Sequence, residues 1–262
     1  MLKLNGHVVT PTMFPDKTSQ VWKLPPELLE ARFFSIAWDF ESEAEFLHLA
    51  QLKFLLSNVP SGVDLYISYL PYARQDKFAF APEDLNQVTF ALFPFLSLLE
   101  SLDFASVTIV DPHNENALRY GFPNAYVEFP EAALKAAISE VSANVVLFPD
   151  AGAKNRYKNL SKFKGLPVVQ LCATKARNQS TGEITDLVLP VIPKNSRVLI
   201  VDDICDGGAT FIKLAKAIAE TYPVESLSLF ISHGLFTKGT QVLRDAGIHR
   251  IFTKNGEIPL ES

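Results

Sequence analysis

Short apolar runs alternate along the chain with longer segments in which apolar residues recur at helical spacing. The predicted strands cover residues 63–70, 107–110, 145–148, 168–172, 198–201 and 227–231. The predicted helices cover residues 42–58, 84–102, 130–142, 210–222 and 237–247. Because the strands are continuously apolar rather than alternating, we expect them to be buried on both faces. The alternation of strands and helices predicts an α/β fold with mostly parallel sheets flanked by helices.

The pattern also repeats in the two halves of the chain. VTIVDPH at 107–113 and VLIVDDI at 198–204 are both apolar strands that deliver acidic residues at their carboxyl ends. Between them, FPNAYVEFP at 122–130 carries two prolines. We therefore predict two similar domains, covering residues 1–127 and 128–262.

Composition and charge exclude some classes of partner. The 262 residues are 48% hydrophobic and 20% charged, and the formal net charge is −5. Such a chain has no basic excess with which to displace counterions from a nucleic-acid backbone. We therefore expect no nucleic acid as the main partner, although basic residues can still gather around a small anionic ligand.

The remaining bulk features predict a soluble, cytoplasmic protein. Cys172 and Cys205 lie in apolar, strand-like context, so we expect buried thiols rather than a disulfide or a metal pair. The N-terminal MLKLNGHVV lacks the apolar core of a signal peptide. The longest apolar run, 90–99, falls short of the roughly 20 residues that cross a bilayer. It contains Pro94, which predicts a kink or an interruption in helix 84–102.

Candidate chemistry lies where the strand 198–201 ends. Two adjacent carboxylates, Asp202 and Asp203, are followed by a glycine loop at 206–210, and ligands of open α/β sheets bind at the carboxyl ends of strands. We expect the two carboxylates to point to opposite sides of the strand, so that neither pairs with the other. Backbone N–H groups of the loop, with the Thr210 hydroxyl, can hold a phosphate at the start of helix 210–222. The carboxylates would then hold sugar hydroxyls or a metal ion; a turn without a ligand is the simpler alternative.

At these residues the sequence resembles a known family. DDICDGGAT resembles the phosphoribosyl-pyrophosphate-binding motif of the type I phosphoribosyltransferase fold, which transferases and synthetases share. Other segments resemble the ribose-phosphate pyrophosphokinase family, in its order and at nearly its spacing. They are MFPDKT (13–18), PYARQDK (71–77), VDPHNENALRYGFPNAYVE (110–128), FPDAGAKNRYKNL (148–160), TKARNQ (174–179) and SHGLFTKG (232–239). The resemblance covers almost the whole chain, and PYARQDK is its most specific element.

The resemblance implies an ATP-dependent diphosphotransferase of nucleotide biosynthesis. Enzymes of this family transfer the β,γ-diphosphate of ATP to the anomeric hydroxyl of ribose 5-phosphate, giving phosphoribosyl pyrophosphate and AMP. It also implies Mg²⁺ as the cofactor, a homo-oligomer (a dimer or higher), and no membrane partner. The domain 1–127 would bind ATP, and the domain 128–262 would bind the ribose phosphate.

The resemblance also implies three groups of site residues. The expected ATP-binding residues are Phe14, Asp16, Arg74, Gln75, Asp76 and His113. The expected ribose-phosphate-binding residues are Asp150, Asp202, Asp203, Asp206, Gly207, Gly208, Ala209 and Thr210. His113 and Asp150 would also bind the metal ion. Lys175 and Arg177 would be catalytic cations on a flap, TKARNQSTGE, that closes over the phosphates; a solvated hairpin tip is the alternative for this segment.

Two positions depart from the family pattern and leave the acceptor open. Thr18 stands where the family carries an acid that contacts adenine, and Gly207 stands where the phosphate loop usually carries Thr. A loop with Gly207 can hold phosphate mainly by backbone groups, or it can admit a longer substituent. ADP-ribose is therefore an alternative acceptor. A phosphoribosyltransferase and a non-catalytic regulatory homologue are further alternatives.

Overall fold

The chain forms two compact units, Met1–Phe129 and Pro130–Ser262. The computed structural model describes residues 1–24, 26–28, 30–76, 90–157, 168–177 and 184–259. The side chains of Tyr120, 175–177 and 184–186 are outside this description, as are Lys77 and the first part of the predicted helix 84–102. The predicted domain boundary, between residues 127 and 128, lies just before the division between the units.

A six-stranded sheet forms the centre of the first unit. The strands of this unit are β1 (Leu2–Leu4), β2 (His7–Val8), β3 (Thr12–Met13), β4 (Ser19–Gln20), β5 (Phe34–Trp38), β6 (Val63–Ile67), β7 (Ser106–Val110) and β8 (Tyr126–Glu128). The sheet order is β2-β1-β5-β6-β7-β8, while β3 and β4 form a separate hairpin. Strands β5 to β8 pair in parallel, whereas β1 is antiparallel to β2 and to β5.

Apolar helix faces cover this sheet. The helices are α1 (Ala44–Leu55), α2 (Leu92–Glu100) and α3 (Glu115–Gly121), with a short 3-10 helix at Pro26–Leu28. Leu52 of α1 and Leu96 of α2 join the core cluster, which also holds the fully buried Trp38 of β5. Helix α2 begins at Leu92, so Pro94 lies in its first turn. Proline is tolerated there because an N–H in the first turn has no intrahelical acceptor to lose.

The second unit has a similar sheet. Its strands are β9 (Val145–Phe148), β10 (Val169–Cys172), β11 (Thr174–Arg177), β12 (Ile184–Val188), β13 (Arg197–Cys205), β14 (Ser226–Gly234), β15 (Arg250–Thr253) and β16 (Gly256–Glu257). The sheet order is β10-β9-β13-β14-β15-β16, while β11 and β12 form an antiparallel ribbon. Within this sheet, neighbouring strands pair in parallel from β10 through β9, β13 and β14 to β15. Only β16 is antiparallel, to β15, among the described strands of the sheet. These two parallel-dominated sheets confirm the predicted α/β fold class.

Helices flank the second sheet in the described part of this unit. They are α4 (Glu131–Glu140), α5 (Ala151–Tyr157), α6 (Ala209–Thr221) and α7 (Gln241–Arg244). Both cysteines are free thiols, and burial raises the pKa of Cys205 to about 12, whereas Cys172 is half-buried. Among the helices in the described part of the chain, none is long and apolar enough to cross a membrane.

Candidate active site

The acid pair lies inside β13, not beyond its end as the sequence predicted. The strand continues to Cys205 because it stays paired with β14, whose Gly234 lies opposite Cys205. Asp203 is buried, with 3% of its surface exposed, and Asp202 is half-buried. Both carboxylates therefore project from the hydrogen-bonded framework of the sheet rather than from a loop.

Asp203 forms a buried ion pair with Arg156. Nη1 of Arg156 lies 2.5 Å from Oδ1 of Asp203, and the two side chains are 14% and 4% exposed. Arg156 belongs to α5, which follows β9, the strand next to β13. Sequence analysis missed Arg156 because its partner is distant along the chain. The available signal was topological, since a basic residue after a neighbouring parallel strand reaches the same sheet edge.

Asp202 and Asp203 interact with each other. Burial raises the pKa of Asp202 well above its usual range, and the neighbouring Asp203 raises it further. The backbone N–H of Asp203, 3.0 Å from Oδ1 of Asp202, acts in the opposite direction. The two acids therefore influence each other's titration, while the prediction that their carboxyl groups do not pair stays a prediction. Two neighbouring acids withdrawn from water resist carrying full charge together.

Asp150 completes an acidic edge of the second unit. Its Oδ1 accepts a hydrogen bond from the backbone N–H of Ala153 at 3.0 Å, which satisfies a donor in the first turn of α5. The negative charge of Asp150 also contributes to the raised pKa of Asp202. Three of the residues that the sequence assigned to the sugar phosphate, Asp150, Asp202 and Asp203, thus lie at one edge of the sheet.

A glycine loop connects β13 to α6. Gly208 is the N-cap residue, with φ of 75°, and a Cβ there would lie 2.9 Å from Cδ2 of Leu243. Both the left-handed backbone and the close approach require glycine. The first N–H groups of α6 have no intrahelical acceptor and give this end a positive partial charge, which favours phosphate. Asp206 and Ala209 are exposed at this loop, and Thr210 is half-buried.

The space beside Gly207 is occupied by a lysine stem. A Cβ at Gly207 would lie 3.4 Å from both Cδ and Cε of Lys238. The preceding residue, Thr237, donates its hydroxyl to Oδ1 of Asp206 at 2.6 Å. The exposed side chain of Lys238 therefore lies in the space beside Gly207.

Two segments that the sequence assigned to ATP lie together in the first unit. The side chain of Asn114 donates to Oδ2 of Asp76 at 2.6 Å, and its Oδ1 accepts the N–H of Ala117 at 3.1 Å as the N-cap of α3. Asp76 belongs to PYARQDK, and Asn114 directly follows His113. Sequence analysis missed Asn114, although the preference of Asn for N-caps was an available signal.

Both of these segments hold strained backbone. Tyr72 has φ of 61° and Asp111 has φ of 37°, in the left-handed region that side-chain-bearing residues seldom adopt. Strain of this kind persists only where surrounding structure imposes it, and it concentrates at functional sites. Arg74 and Gln75 are exposed beside Tyr72, and His113 is half-buried beside Asp111.

Phe14 and Asp16 lie on a different element, the β3–β4 hairpin. Oδ1 of Asp16 accepts the hydroxyl of Thr18 at 2.7 Å and its backbone N–H at 3.0 Å. Both hydrogen bonds lower the pKa of Asp16, and the bond from the hydroxyl has the larger effect. The ring of Phe14 lies 6.1 Å from the ring of Trp22, which is 59% exposed. Thr18 therefore fixes the carboxylate of Asp16 instead of adding a second acid.

Lys175 and Arg177 lie in β11, within the β11–β12 ribbon. Lys175 pairs with Leu187 and Arg177 with Ile184, with a shift of register between Ala176 and Arg177. The two cationic side chains, and residues 178–183 between the strands, lie outside the described part of the structure. The catalytic role of these two residues stays a prediction.

The acidic edge has the donor chemistry for Mg²⁺. Within the described ranges, no group of three or more His, Cys, Asp and Glu side chains is arranged to hold a metal ion. His113 and Asp150, the predicted ligands, belong to the first and the second unit respectively. Mg²⁺ is commonly bound by one or two carboxylates together with substrate phosphates. The carboxylates of Asp150 and Asp202 fit that mode of binding, in which the nucleotide brings most of the ligands.

Similarity to known proteins first defines the class of this fold. Residues 133–258, which include β13, the acid pair and the glycine loop, match the family model of the phosphoribosyl transferase domain. The crystal structure of phosphoribosylpyrophosphate synthetase from Mycobacterium smegmatis has a similar fold, with a TM-score of 0.72 at 17% identity. The match covers 93% of this chain and 78% of that one. The fold is thus that of the phosphoribosyltransferase class.

Curated relatives then narrow the class. A ribose-phosphate pyrophosphokinase from Sulfolobus acidocaldarius is 28% identical over 250 residues, which cover 93% of this chain and 82% of the relative. A ribose-phosphate pyrophosphokinase from Mycoplasmopsis pulmonis is 26% identical over 71% of this chain and 56% of that relative. The resemblance that the motifs predicted is confirmed: the chain is a relative of the ribose-phosphate pyrophosphokinases.

Proposed function

We propose that the protein transfers the β,γ-diphosphate of ATP to the anomeric hydroxyl of ribose 5-phosphate. One observation carries the proposal: the acid pair of β13 directly precedes the glycine-capped end of α6, in a chain that resembles a ribose-phosphate pyrophosphokinase over 93% of its length. In the reaction the anomeric oxygen attacks the β-phosphorus, and the bond to the oxygen that bridges the α- and β-phosphates breaks. The hydroxyl proton passes to solvent, and AMP leaves.

In this proposal the second unit binds the sugar phosphate. Asp203, held by Arg156, and the neighbouring Asp202 bind the ribose hydroxyls, which is the hydrogen-bonding role that buried acids at a sheet edge can fill. The loop 206–210 binds the 5-phosphate through the free N–H groups of α6 and the hydroxyl of Thr210. Binding in this position fixes the anomeric oxygen for in-line attack.

The first unit binds ATP in the same proposal. Phe14 and Asp16 contact the base, while Arg74, Gln75, Asp76 and His113 contact the phosphates and their metal ion. Mg²⁺, when bound, neutralises charge on the transferring diphosphate. Lys175 and Arg177 stabilise charge that develops on the diphosphate and on the departing AMP. No side chain is required to form a covalent intermediate.

The alternative functions are less well supported. ADP-ribose needs room beyond the 5-phosphate, and the stem of Lys238 fills the space beside Gly207. A phosphoribosyltransferase accounts for residues 133–258 alone, whereas the similarity to pyrophosphokinases covers 93% of the chain. A regulatory homologue has no need for Arg74, His113 and the acid pair together. We also propose a cytoplasmic homo-oligomer, a dimer or higher, as the working form.

AMP formation tests the proposed function directly. The full chain is incubated with ATP and Mg²⁺ and with ribose 5-phosphate, ADP-ribose or ribose, and the products are identified by mass spectrometry. We expect AMP and phosphoribosyl pyrophosphate with ribose 5-phosphate alone. The variant Arg74→Gln should lose at least about 90% of this turnover, because a bidentate phosphate contact is worth roughly 1.5–3 kcal/mol. The control Arg32→Gln, another exposed arginine of the first unit, should keep it.

Other products would contradict the proposal. AMP formation with ADP-ribose and none with ribose 5-phosphate would establish the alternative acceptor. Pyrophosphate release from phosphoribosyl pyrophosphate and a nucleobase, without any AMP formation, would establish a transferase. Nucleotide binding with no turnover on any acceptor would favour the regulatory homologue.

A further inference from the structure

The loop that follows β14, residues 235–239, packs against the start of the phosphate loop, residues 206–210. The backbone N–H groups of Leu235 and Phe236 both donate to the carbonyl of Cys205, at 2.9 and 3.2 Å. The hydroxyl of Thr237 donates to Oδ1 of Asp206 at 2.6 Å. The next contact along the two loops joins Lys238 to Gly207. Successive residues of one loop thus contact successive residues of the other.

Lys238 occupies the place of a side chain at position 207. A Cβ on Gly207 would lie 3.4 Å from Cδ and Cε and 3.6 Å from Cγ of Lys238, so the stem runs alongside the bare Cα. Because Nζ lies one bond of about 1.5 Å beyond Cε, the ammonium group is within about 5 Å of that Cβ position. The positive charge of Lys238 is therefore held beside the phosphate loop.

Glycines at both ends define the path of the loop that carries Lys238. A Cβ at Gly234 would overlap the ring of Phe236, and Gly239 has φ of 72°. The backbone of 234–239 thus turns back over the phosphate loop in a conformation that other residues would disfavour. Since Lys238 lies within this turn, its backbone is positioned by hydrogen bonds on one side and by Gly239 on the other, and its exposed side chain extends beside Gly207.

The charge at this edge of the sheet gives Lys238 a task. Asp206 lies exposed in the loop, and Asp202 and the Arg156-paired Asp203 precede it, while the end of α6 supplies only about half a positive charge. A phosphate monoester carries about −1.5 to −2 at neutral pH. An anion of that charge, bound next to acids, needs a cation as well as backbone N–H groups.

We propose that Lys238 is a specificity-determining residue of the phosphate loop, and that its ammonium group binds the terminal phosphate monoester of the sugar substrate. This inference rests on the proposed function, because it takes the loop 206–210 as the sugar-phosphate site. Lys238 replaces the hydroxyl that a side chain at position 207 would supply. A doubly charged monoester gains more from a nearby cation than a singly charged phosphodiester does, so Lys238 selects against acceptors that are substituted beyond the 5-phosphate, such as ADP-ribose.

Direct binding measurements on the full chain test the role of Lys238. Isothermal titration calorimetry without ATP compares ribose 5-phosphate with its methyl phosphodiester. We expect Lys238→Met to weaken binding of the monoester about tenfold, the loss expected for one charge-assisted hydrogen bond. Binding of the methyl ester should weaken less. The control Lys216→Met removes the same charge from the exposed face of α6 and should leave both affinities within about twofold of the wild type.

A second variant separates a direct role from a structural one. In the background of Lys238→Met, the substitution Gly207→Thr places a hydroxyl beside the space that the ammonium has left. We expect this double variant to recover part of the lost affinity for ribose 5-phosphate. In turnover assays, Lys238→Met should raise the KM for ribose 5-phosphate and leave kcat within about twofold, as expected for lost binding that is uniform through the reaction.

The outcomes distinguish this inference from the proposed function. If AMP forms and Lys238→Met binds both esters like the wild type, the role of Lys238 is refuted and the proposed function stands. If ribose 5-phosphate binds in a Lys238-dependent way but no AMP forms, the inference stands and the proposed function fails. Equal losses in Lys238→Met and Lys216→Met, or no binding of ribose 5-phosphate to the wild type, would overturn the inference.

Discussion

At the scale of single residues, the ion pair of Arg156 and Asp203 is the contact on which the acidic edge most depends. The two side chains are 14% and 4% exposed, so both charges are largely withdrawn from water. Removing one member of a buried pair leaves the other charge uncompensated. The pair thus couples the stability of the second unit to the position of the carboxylate that we assign to the sugar.

Loss of Arg156 should therefore be costly. We expect Arg156→Met to lower the free energy of unfolding by about 3–5 kcal/mol, measured by urea denaturation. The double variant Arg156→Met/Asp203→Asn should recover most of that loss, because no buried charge is then left unpaired. As a control, Glu225→Gln breaks the exposed ion pair of Glu225 with Arg197; these two side chains are 54% and 37% exposed. This substitution should lower the free energy of unfolding by at most about 1 kcal/mol. Equal effects at the two pairs would contradict this prediction.

Asp202 should make stability depend on pH. Its pKa is raised in the folded protein by burial and by Asp203, so the folded state retains the proton to a higher pH than the unfolded chain does. The free energy of unfolding should therefore fall as the pH rises from the ordinary pKa of aspartate, near 4, through the raised value. Below the ordinary pKa, this contribution should be fully present and constant.

Substitution of Asp202 provides the measurement. Urea denaturation across this pH range, compared between the wild type and Asp202→Asn, should show that the variant lacks this decline and is the more stable protein at neutral pH. The control Asp245→Asn, at an exposed acid, should follow the wild-type profile. Parallel profiles for the wild type and Asp202→Asn would mean that Asp202 is ionised throughout.

Local sequence predicted which segments carry the acids and the glycine loop, whereas contacts between distant segments were not predictable. The order of acids, glycines and threonine at 202–210 predicts a phosphate loop and a sugar site, and the structure places the acids in β13 with the glycine cap of α6 shortly after them. Arg156 and Asn114 were not predicted as site residues, because their partners, Asp203 and Asp76, come from other segments of the chain. The raised pKa of Asp202 was missed because strand alternation alone separates adjacent side chains.

At the scale of elements, continuous apolar runs were the dependable signal. The runs at 145–148 and 107–110 correspond to β9 and β7 almost residue for residue. Strand β9 is buried on both faces as predicted, whereas β7 alternates, with Ser106 and Thr108 half-buried. Helices α3 and α5 have only 7 residues each, so they offer too little periodicity to predict. Strand β13 is longer than predicted, because its pairing with β14 continues past the two acids.

The junction of β13 and α6 should tolerate no side chain at its N-cap. Gly208 has φ of 75°, and a Cβ there would meet Leu243 at 2.9 Å. We expect Gly208→Ala to lower the free energy of unfolding by about 1–2 kcal/mol, from the left-handed backbone alone, and thermal or urea denaturation will measure the loss. Its neighbour is the matched control: at Gly207 the added Cβ meets only the flexible Lys238 stem at 3.4 Å, so Gly207→Ala should cost less than about 0.5 kcal/mol. A reversed order would show that the loop relaxes at Gly208.

At the scale of the whole molecule, each unit is a parallel-dominated sheet with its own apolar core. The two sheets differ at their edges. In the first unit β1 and β2 form an antiparallel extension, whereas in the second unit the antiparallel strand β16 forms one edge. The repeated strand–acid pattern predicted two similar units, and their edges were less predictable because edge strands are short and partly polar. This arrangement lets each unit bind one substrate in the proposed reaction.

The proposed flap should act only when both substrates are bound. We expect Lys175→Ala to lower kcat by about 10²–10³-fold, the effect of removing one preorganised donor from a developing charge, and to leave the Kd for ATP within about threefold. Single-turnover kinetics and nucleotide titration measure the two quantities separately. Lys216→Ala, on the exposed surface of α6, serves as the control and should change neither. Unchanged turnover in Lys175→Ala would place catalysis elsewhere than on β11.

The aromatic pair on the β3–β4 hairpin gives the first unit an optical signal of its own. Both tryptophans of the chain belong to this unit: Trp38 is sealed in the core at 0% exposure, while Trp22 stands 59% exposed beside Phe14. The two indoles therefore emit at different wavelengths, one reporting on the integrity of the core and the other on the surface of the hairpin. A purine that binds at Phe14 would quench the fluorescence of the exposed Trp22 and leave that of the buried Trp38 unchanged. Nucleotide binding and unfolding can therefore be followed in the same sample without an added dye.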